Sequence, residues 1–167
     1  MKGLLCSIDP GRDKTGVALV HADGTLEKKC IVRTVDYEQE LARLLAGKEI
    51  FALVMGNGTR HEVMQERTEA LLSKLGREIP VTLVDEKYTT EMGEQWYWKD
   101  HPAKGLARLI PKGMRSVPVP VDDYVAWIIG CIYLGIVKAE DVGHKKVCVR
   151  RVHGSADLPL VPVRTSC

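Results

Sequence analysis

Hydrophobic positions along the chain change their period several times, and each change marks an element. Leu4–Asp9 is an apolar run ended by the turn signal Asp9-Pro10-Gly11. Thr15–His21 and Leu26–Arg33 are apolar and β-branched, and the Asp-Gly pair in Ala22-Asp23-Gly24-Thr25 joins them as a hairpin. A meander of three strands is therefore predicted first. The spacing then turns helical, with Tyr37, Leu41, Leu44 and Leu45 at i, i+4, i+7 and i+8 and a stop at Gly47. Phe51–Met55 predicts a fourth strand, closed by Gly56-Asn57-Gly58. Thr59-Arg60-His61-Glu62 has capping-box spacing, and Met64, Leu71, Leu72 and Leu75 follow on one stripe until Gly76. Pro80 introduces a fifth strand, Val81–Asp85. A helix is predicted from Thr89 or Thr90, carrying Trp96, Tyr97 and Trp98 before Pro102, with Trp96 and Trp98 expected in the core. The last helix opens near Asp122 and holds Val125, Ile128, Ile129, Ile132, Tyr133 and Ile136, the strongest helical period in the chain.

The order βββ-α-β-α-β-α, with one more helix after it, predicts an α/β fold: a mixed five-stranded sheet, parallel in its later part and flanked by helices. From Ala139 the pattern weakens, and Lys145–Val152 with Leu158–Val163 reads either as a hairpin or as a tail. Residues 1–138 are expected to form one domain and 139–167 a short C-terminal extension. A length of 167 residues suits one domain with a real core, and 45% hydrophobic with 28% charged residues excludes a disordered chain. With 24 Lys and Arg against 22 Asp and Glu, a polyanion-binding surface requires local clustering rather than net charge. No signal-peptide pattern opens the chain, and the apolar stretch Val125–Val137 is shorter than the ~17–25 residues that span a bilayer. The 5 cysteines include no C-x-x-C pair, which excludes a zinc site of that spacing and a disulfide framework. The expected setting is the reducing cytoplasm, with no membrane partner.

Three acidic positions stand out by place. Asp9 ends the first strand, Glu86 follows the fifth, and Asp122 with Asp123 opens the last helix. Ligands of open α/β sheets bind beyond the carboxyl ends of parallel strands. If the first and fifth strands are parallel neighbours, Asp9 and Glu86 emerge at one edge, and the helix brings Asp122 alongside. Like charges oppose such a gathering unless a cation sits among them, and hard oxygen ligands suit Mg²⁺ or Mn²⁺. Each acid also has a plain structural role open to it: Asp9 as a turn residue, Glu86 as a solvated loop acid, Asp122 as a helix N-cap. His21, His61, His101, His144 and His153 are scattered and read as surface or turn residues.

Ile8-Asp9-Pro10-Gly11-Arg12-Asp13-Lys14-Thr15-Gly16-Val17-Ala18 resembles the opening motif of RuvC-like nucleases, which have the ribonuclease H-like fold. Val84-Asp85-Glu86-Lys87-Tyr88-Thr89-Thr90 is similar to the Asp-Glu-Arg-x-Thr-Thr signature of the YqgF branch, also called RuvX. That branch comprises Holliday junction resolvases and pre-16S ribosomal RNA processing nucleases. Pro120-Val121-Asp122-Asp123-Tyr124-Val125-Ala126 resembles its closing motif. The three occur in family order over roughly residues 3–137. The resemblance implies a ribonuclease H-like fold, phosphodiester hydrolysis with Mg²⁺ or Mn²⁺, and an acidic triad on Asp9, Glu86 and Asp122, with Asp123 as an alternative metal ligand. Two sites depart from the pattern. Lys87 stands where the family usually has Arg, and Gly56-Asn57-Gly58-Thr59 lacks the usual Gly-x-Pro. The latter is similar to the YqgF-like domain of Tex proteins, where the nuclease acids are degenerate, so a non-catalytic nucleic-acid-binding module is the alternative. An Asp-x-Gly first loop also occurs in actin-like and sugar-kinase ATPases, but those need two lobes and this length supplies one.

Basic residues suggest where structured DNA or RNA would lie. Arg12, Lys14, Arg60 and Lys87 belong to loops at the expected acidic edge, and Lys99, Lys104, Arg108, Lys112 and Arg115 form a basic run ahead of the last helix. Cutting a four-way junction asks for two coordinated active sites and hence a two-fold dimer. Trimming ribosomal RNA does not, and the chain leaves monomer and homodimer open.

Overall fold

Five strands form one sheet in the order β3-β2-β1-β4-β5. They are β1 (Leu4–Asp9), β2 (Lys14–His21), β3 (Leu26–Arg33), β4 (Ile50–Gly56) and β5 (Val81–Val84) in a computed structural model that describes residues 3–87, 89–111 and 114–137. β1 is antiparallel to β2 and parallel to β4, β2 is antiparallel to β3, and β4 is parallel to β5. β1 is central and covered on both faces, which is why it reads as an unbroken apolar run rather than an alternating one. Leu4, Cys6 and Ile8 face α1 (Tyr37–Leu45) and α2 (His61–Lys74), while Leu5 joins the core under α3 (Thr89–Asp100) and α4 (Asp122–Tyr133). This helix-covered, mixed five-stranded sheet is the α/β arrangement expected from the element order.

α4 lies unusually close to the sheet because small residues line the contact. Gly130 packs on Ser7, whose Oγ donates to Ala126 O at 2.6 Å. A Cβ at Gly16 would collide with the main-chain oxygen of Asp122, so the start of α4 rests directly on β2. At the other end Trp127 Nε1 donates to Gly24 O at 3.0 Å, pinning the β2–β3 hairpin under the helix. Gly24, with φ 87°, supplies the turn that the Asp-Gly pair predicts.

Several expectations need correction. β1 and β5 are not neighbours, since β4 lies between them. The capping box does not form: α2 begins at His61 with Arg60 as its N-cap and no side-chain cap bond. The loop spends its geometry elsewhere, because His61 Nδ1 turns back onto Gly58 O. α4 ends at Tyr133, short of Ile136. Gly135 (φ 71°) closes it in a Schellman motif, with Ile136 N donating to Cys131 O and Gly135 N to Ile132 O. Tyr133 is consequently exposed. Trp96 is buried against Trp127, as expected, whereas Trp98 is only half-buried. The C-terminal extension lies outside the described residues.

Candidate active site

The acidic residues meet at the edge where β1 and β4 end. Asp9 is the last residue of β1 and pairs with Gly16 of β2, the residue on which the Asp122 backbone rests. Absence of a side chain at 16 thus lets the N-terminus of α4 close on the end of β1. Glu86 arrives by another route. It follows β5, on the far side of β4, and its side chain reaches back across the end of β4. A Cβ at Gly56 would fall on its Oε2 and one at Gly58 on its Oε1, so the two glycines form a bed for the carboxylate. Asn57 fixes the loop: its N–H donates to Val84 O at 3.0 Å and its Oδ1 accepts from Glu86 N at 3.3 Å. Glycine at both 56 and 58 is what makes room for Glu86.

Electrostatics register this gathering. Burial pushes the Asp9 carboxyl up to about 8, and the negative charges of Glu86 and Asp122 add to the rise. Glu86 is also raised, first by burial and then by Asp85, with His61 opposing. Its Oε2 is buried without a hydrogen-bond partner. Among the described residues no three His, Cys, Asp or Glu side chains stand close enough together to enclose an ion. The site is a crowd of carboxylates, not a closed ligand cage.

Asp123 is engaged elsewhere. It forms a buried ion pair with Lys29 of β3, at 9% and 6% exposure, and Lys29 Nζ also lies 3.8 Å from the centroid of the Tyr124 ring. Tyr124 continues the network, donating from its hydroxyl to Asp100 of α3 at 2.8 Å. Asp122, one residue earlier, forms no ion pair among the described residues, and its charge adds to the rise at Asp9.

The basic residues divide. Arg12, Lys14, Arg60 and Lys87 are exposed on the loops and strand start of the acidic edge. Lys99 lies in the last turn of α3, and Lys104 and Arg108 lie at an exposed 3-10 turn, Gly105–Leu109, that contributes no buried residue. Arg115 braces this segment by donating to Ile110 O and Arg108 O at 2.7 and 3.0 Å. Lys112 lies outside the described residues.

His61 and Lys29 are functional candidates that sequence pattern does not expose. A carbonyl can only accept, so His61 Nδ1 carries the proton in its 2.6 Å bond to Gly58 O. Its Nε2 has no partner among the described residues. The cue for His61 is its place three residues after Gly58, which seats the Glu86 carboxylate. Lys29 stands in the strand pattern as one more polar position, and only the docking of α4 buries it.

No protein-family profile matches the chain, and no curated protein matches it. Among solved structures it is similar to RuvC from Thermus thermophilus, with 15% identity and a TM-score of 0.45, covering 78% of this chain and 94% of that one. It is also similar to a ROK-family glucokinase from Streptomyces griseus, solved with glucose and AMPPNP, at 18% identity and a TM-score of 0.37 over 55% of this chain. A ROK-family protein from Streptococcus pneumoniae TIGR4, solved with sucrose, gives 20% identity and a TM-score of 0.37 over 59%. This chain spans 36% and 39% of the lengths of those two ROK proteins.

Proposed function

We propose that this chain is a divalent-metal-dependent nuclease of the YqgF/RuvX kind, hydrolysing phosphodiester bonds in structured DNA or precursor ribosomal RNA in the cytoplasm. The observation that supports the reading is the carboxyl of Asp9 at the end of β1, raised by burial and by the charges of Glu86 and Asp122. The donor types suit a hard cation: the groups are carboxylates, one buried Glu86 oxygen lacks a partner, and burial together with the neighbouring acids raises Asp9 to about 8. Asp9, Glu86 and Asp122 would hold Mg²⁺ or Mn²⁺, and the Asp123–Lys29 pair leaves Asp122 as the ligand from α4. A bound ion supplies a water of lowered pKa and stabilises charge on the phosphate.

The chain's own residues do the rest. Gly56 and Gly58 seat Glu86, and His61 favours its ionised form. Arg12, Lys14, Arg60 and Lys87 hold the nucleic-acid backbone across the edge, with Lys99, Lys104 and Lys112 as a second contact. The test compares wild type with Asp9→Asn on a labelled four-way junction, duplex DNA and a structured RNA, each with Mg²⁺, Mn²⁺ or EDTA. Metal-dependent cleavage that falls at least a hundredfold in the variant is expected. Equal turnover in both proteins would overturn the triad. Binding without cleavage on every substrate would leave a nucleic-acid-binding module of the Tex type.

A further inference from the structure

On the α1/α2 face, beside the turn that follows Asp9, a cleft of about 40 Å³ opens between that turn and the start of α2. Gly11, Arg12, Thr34, Arg60, Val63 and Arg67 line it. One wall is built. Arg67 forks onto Glu38 with two bonds of 2.6 Å and donates to Thr34 O at 2.8 Å, and Thr34 Oγ1 donates to Gly11 O at 3.0 Å. Glu38 therefore neutralises Arg67 and ties the wall to the turn. Nothing neutralises the other two: Arg12 and Arg60 are exposed and have no hydrogen-bond or ion-pair partner among the described residues. Two uncompensated guanidiniums thus share a cleft whose third side is already charge-balanced. Val63, 52% exposed, adds an apolar ledge beside them.

We propose that this cleft binds a backbone phosphate of a nucleic-acid strand, adjacent to the phosphate that faces the acids and distinct from it. The proposal rests on the nucleic-acid part of the reading above and not on cleavage. Guanidinium forks match phosphate oxygens two at a time, and Arg12 and Arg60 offer two such forks to the same cleft. The exposed valine offers contact to a sugar, which a free phosphate ion would not use. Arg12 lies three residues beyond Asp9, so the two ends of one turn present opposite charge to successive groups along a strand. The acids repel a phosphate unless a cation is bound. The cleft attracts one regardless.

Binding of a labelled single-stranded oligonucleotide, followed by anisotropy in EDTA over a range of salt, tests this without any catalysis. The Arg12→Ala/Arg60→Ala protein should bind at least tenfold more weakly at low salt, with the slope of log K against log salt reduced by about 0.7, the value for one phosphate contact on a single strand. Its melting temperature should match wild type, because neither side chain has a partner to lose. NMR of the Arg12 and Arg60 Nε–H signals then separates the sources of phosphate: a trinucleotide should shift them at lower concentration than inorganic phosphate. Unchanged affinity and slope in the double variant would overturn the proposal, as would a response to inorganic phosphate alone. Wild type that binds the oligonucleotide through these two arginines but cleaves no substrate with Mg²⁺ or Mn²⁺ sinks the nuclease reading and spares the cleft.

Discussion

At Gly56 the backbone has no positive φ, so alanine costs little in conformation; what it meets is the carboxylate of Glu86. The obstacle is the end of a flexible side chain, which can swing aside. Gly56→Ala is therefore expected to stay within about 1 kcal/mol of wild type in urea denaturation while its metal-dependent cleavage falls at least tenfold. Unimpaired cleavage would mean that Glu86 does not work from this bed. The acids themselves were legible in the chain, since Asp9, Glu86 and Asp122 each stand where an element begins or ends. Their companions were not. His61 approaches Glu86 only because the loop from Gly56 to His61 folds back on Gly58, and no local pattern encodes that closure.

The strand and helix periods carry most of the element order, because burial on one or two faces leaves a direct imprint on residue spacing. Sheet order leaves none. The insertion of β4 between β1 and β5 is set by crossovers, and it changes how Glu86 reaches the site. The N-terminus of α4 is likewise placed by tertiary contacts, with the glycine at 16 on one side of it and the Lys29–Asp123 pair on the other. Breaking a buried pair by removing one partner strands the other charge, typically at about 3–5 kcal/mol, whereas replacing both with apolar groups is often close to neutral. Lys29→Met is therefore expected to destabilise by about 3–5 kcal/mol, and Lys29→Met/Asp123→Leu to recover most of that loss. Urea denaturation of the two single variants and the double variant measures the coupling. Additive losses would show that the pair does not act as a unit in holding α4.

Across the whole molecule, crowding of carboxylates ties stability to both protons and cations. An aspartate in the unfolded chain titrates near 3.9, whereas burial and its acidic neighbours hold folded Asp9 up at about 8. Between these values the folded chain keeps a proton that the unfolded chain has released, so this group's contribution to stability falls as pH rises from about 4 to about 8 and then levels. Glu86, also raised, acts with the same sign. Asp23 and Glu38 are lowered by Thr25 and Arg67, and their contributions are lost only when pH drops below the ordinary carboxylate range, so the two windows separate. In EDTA the melting temperature of wild type should therefore decline from pH 5 to pH 8 more steeply than that of Asp9→Asn, the histidines being common to both. Parallel curves would show that Asp9 does not titrate there. In the proposed nuclease a divalent cation would compete with that proton. If Asp9 holds the metal as proposed, the cation's stabilising effect should consequently be larger at pH 8 than at pH 5 and should shrink in the variant; an equal effect of the cation on both proteins would count against Asp9 as a ligand.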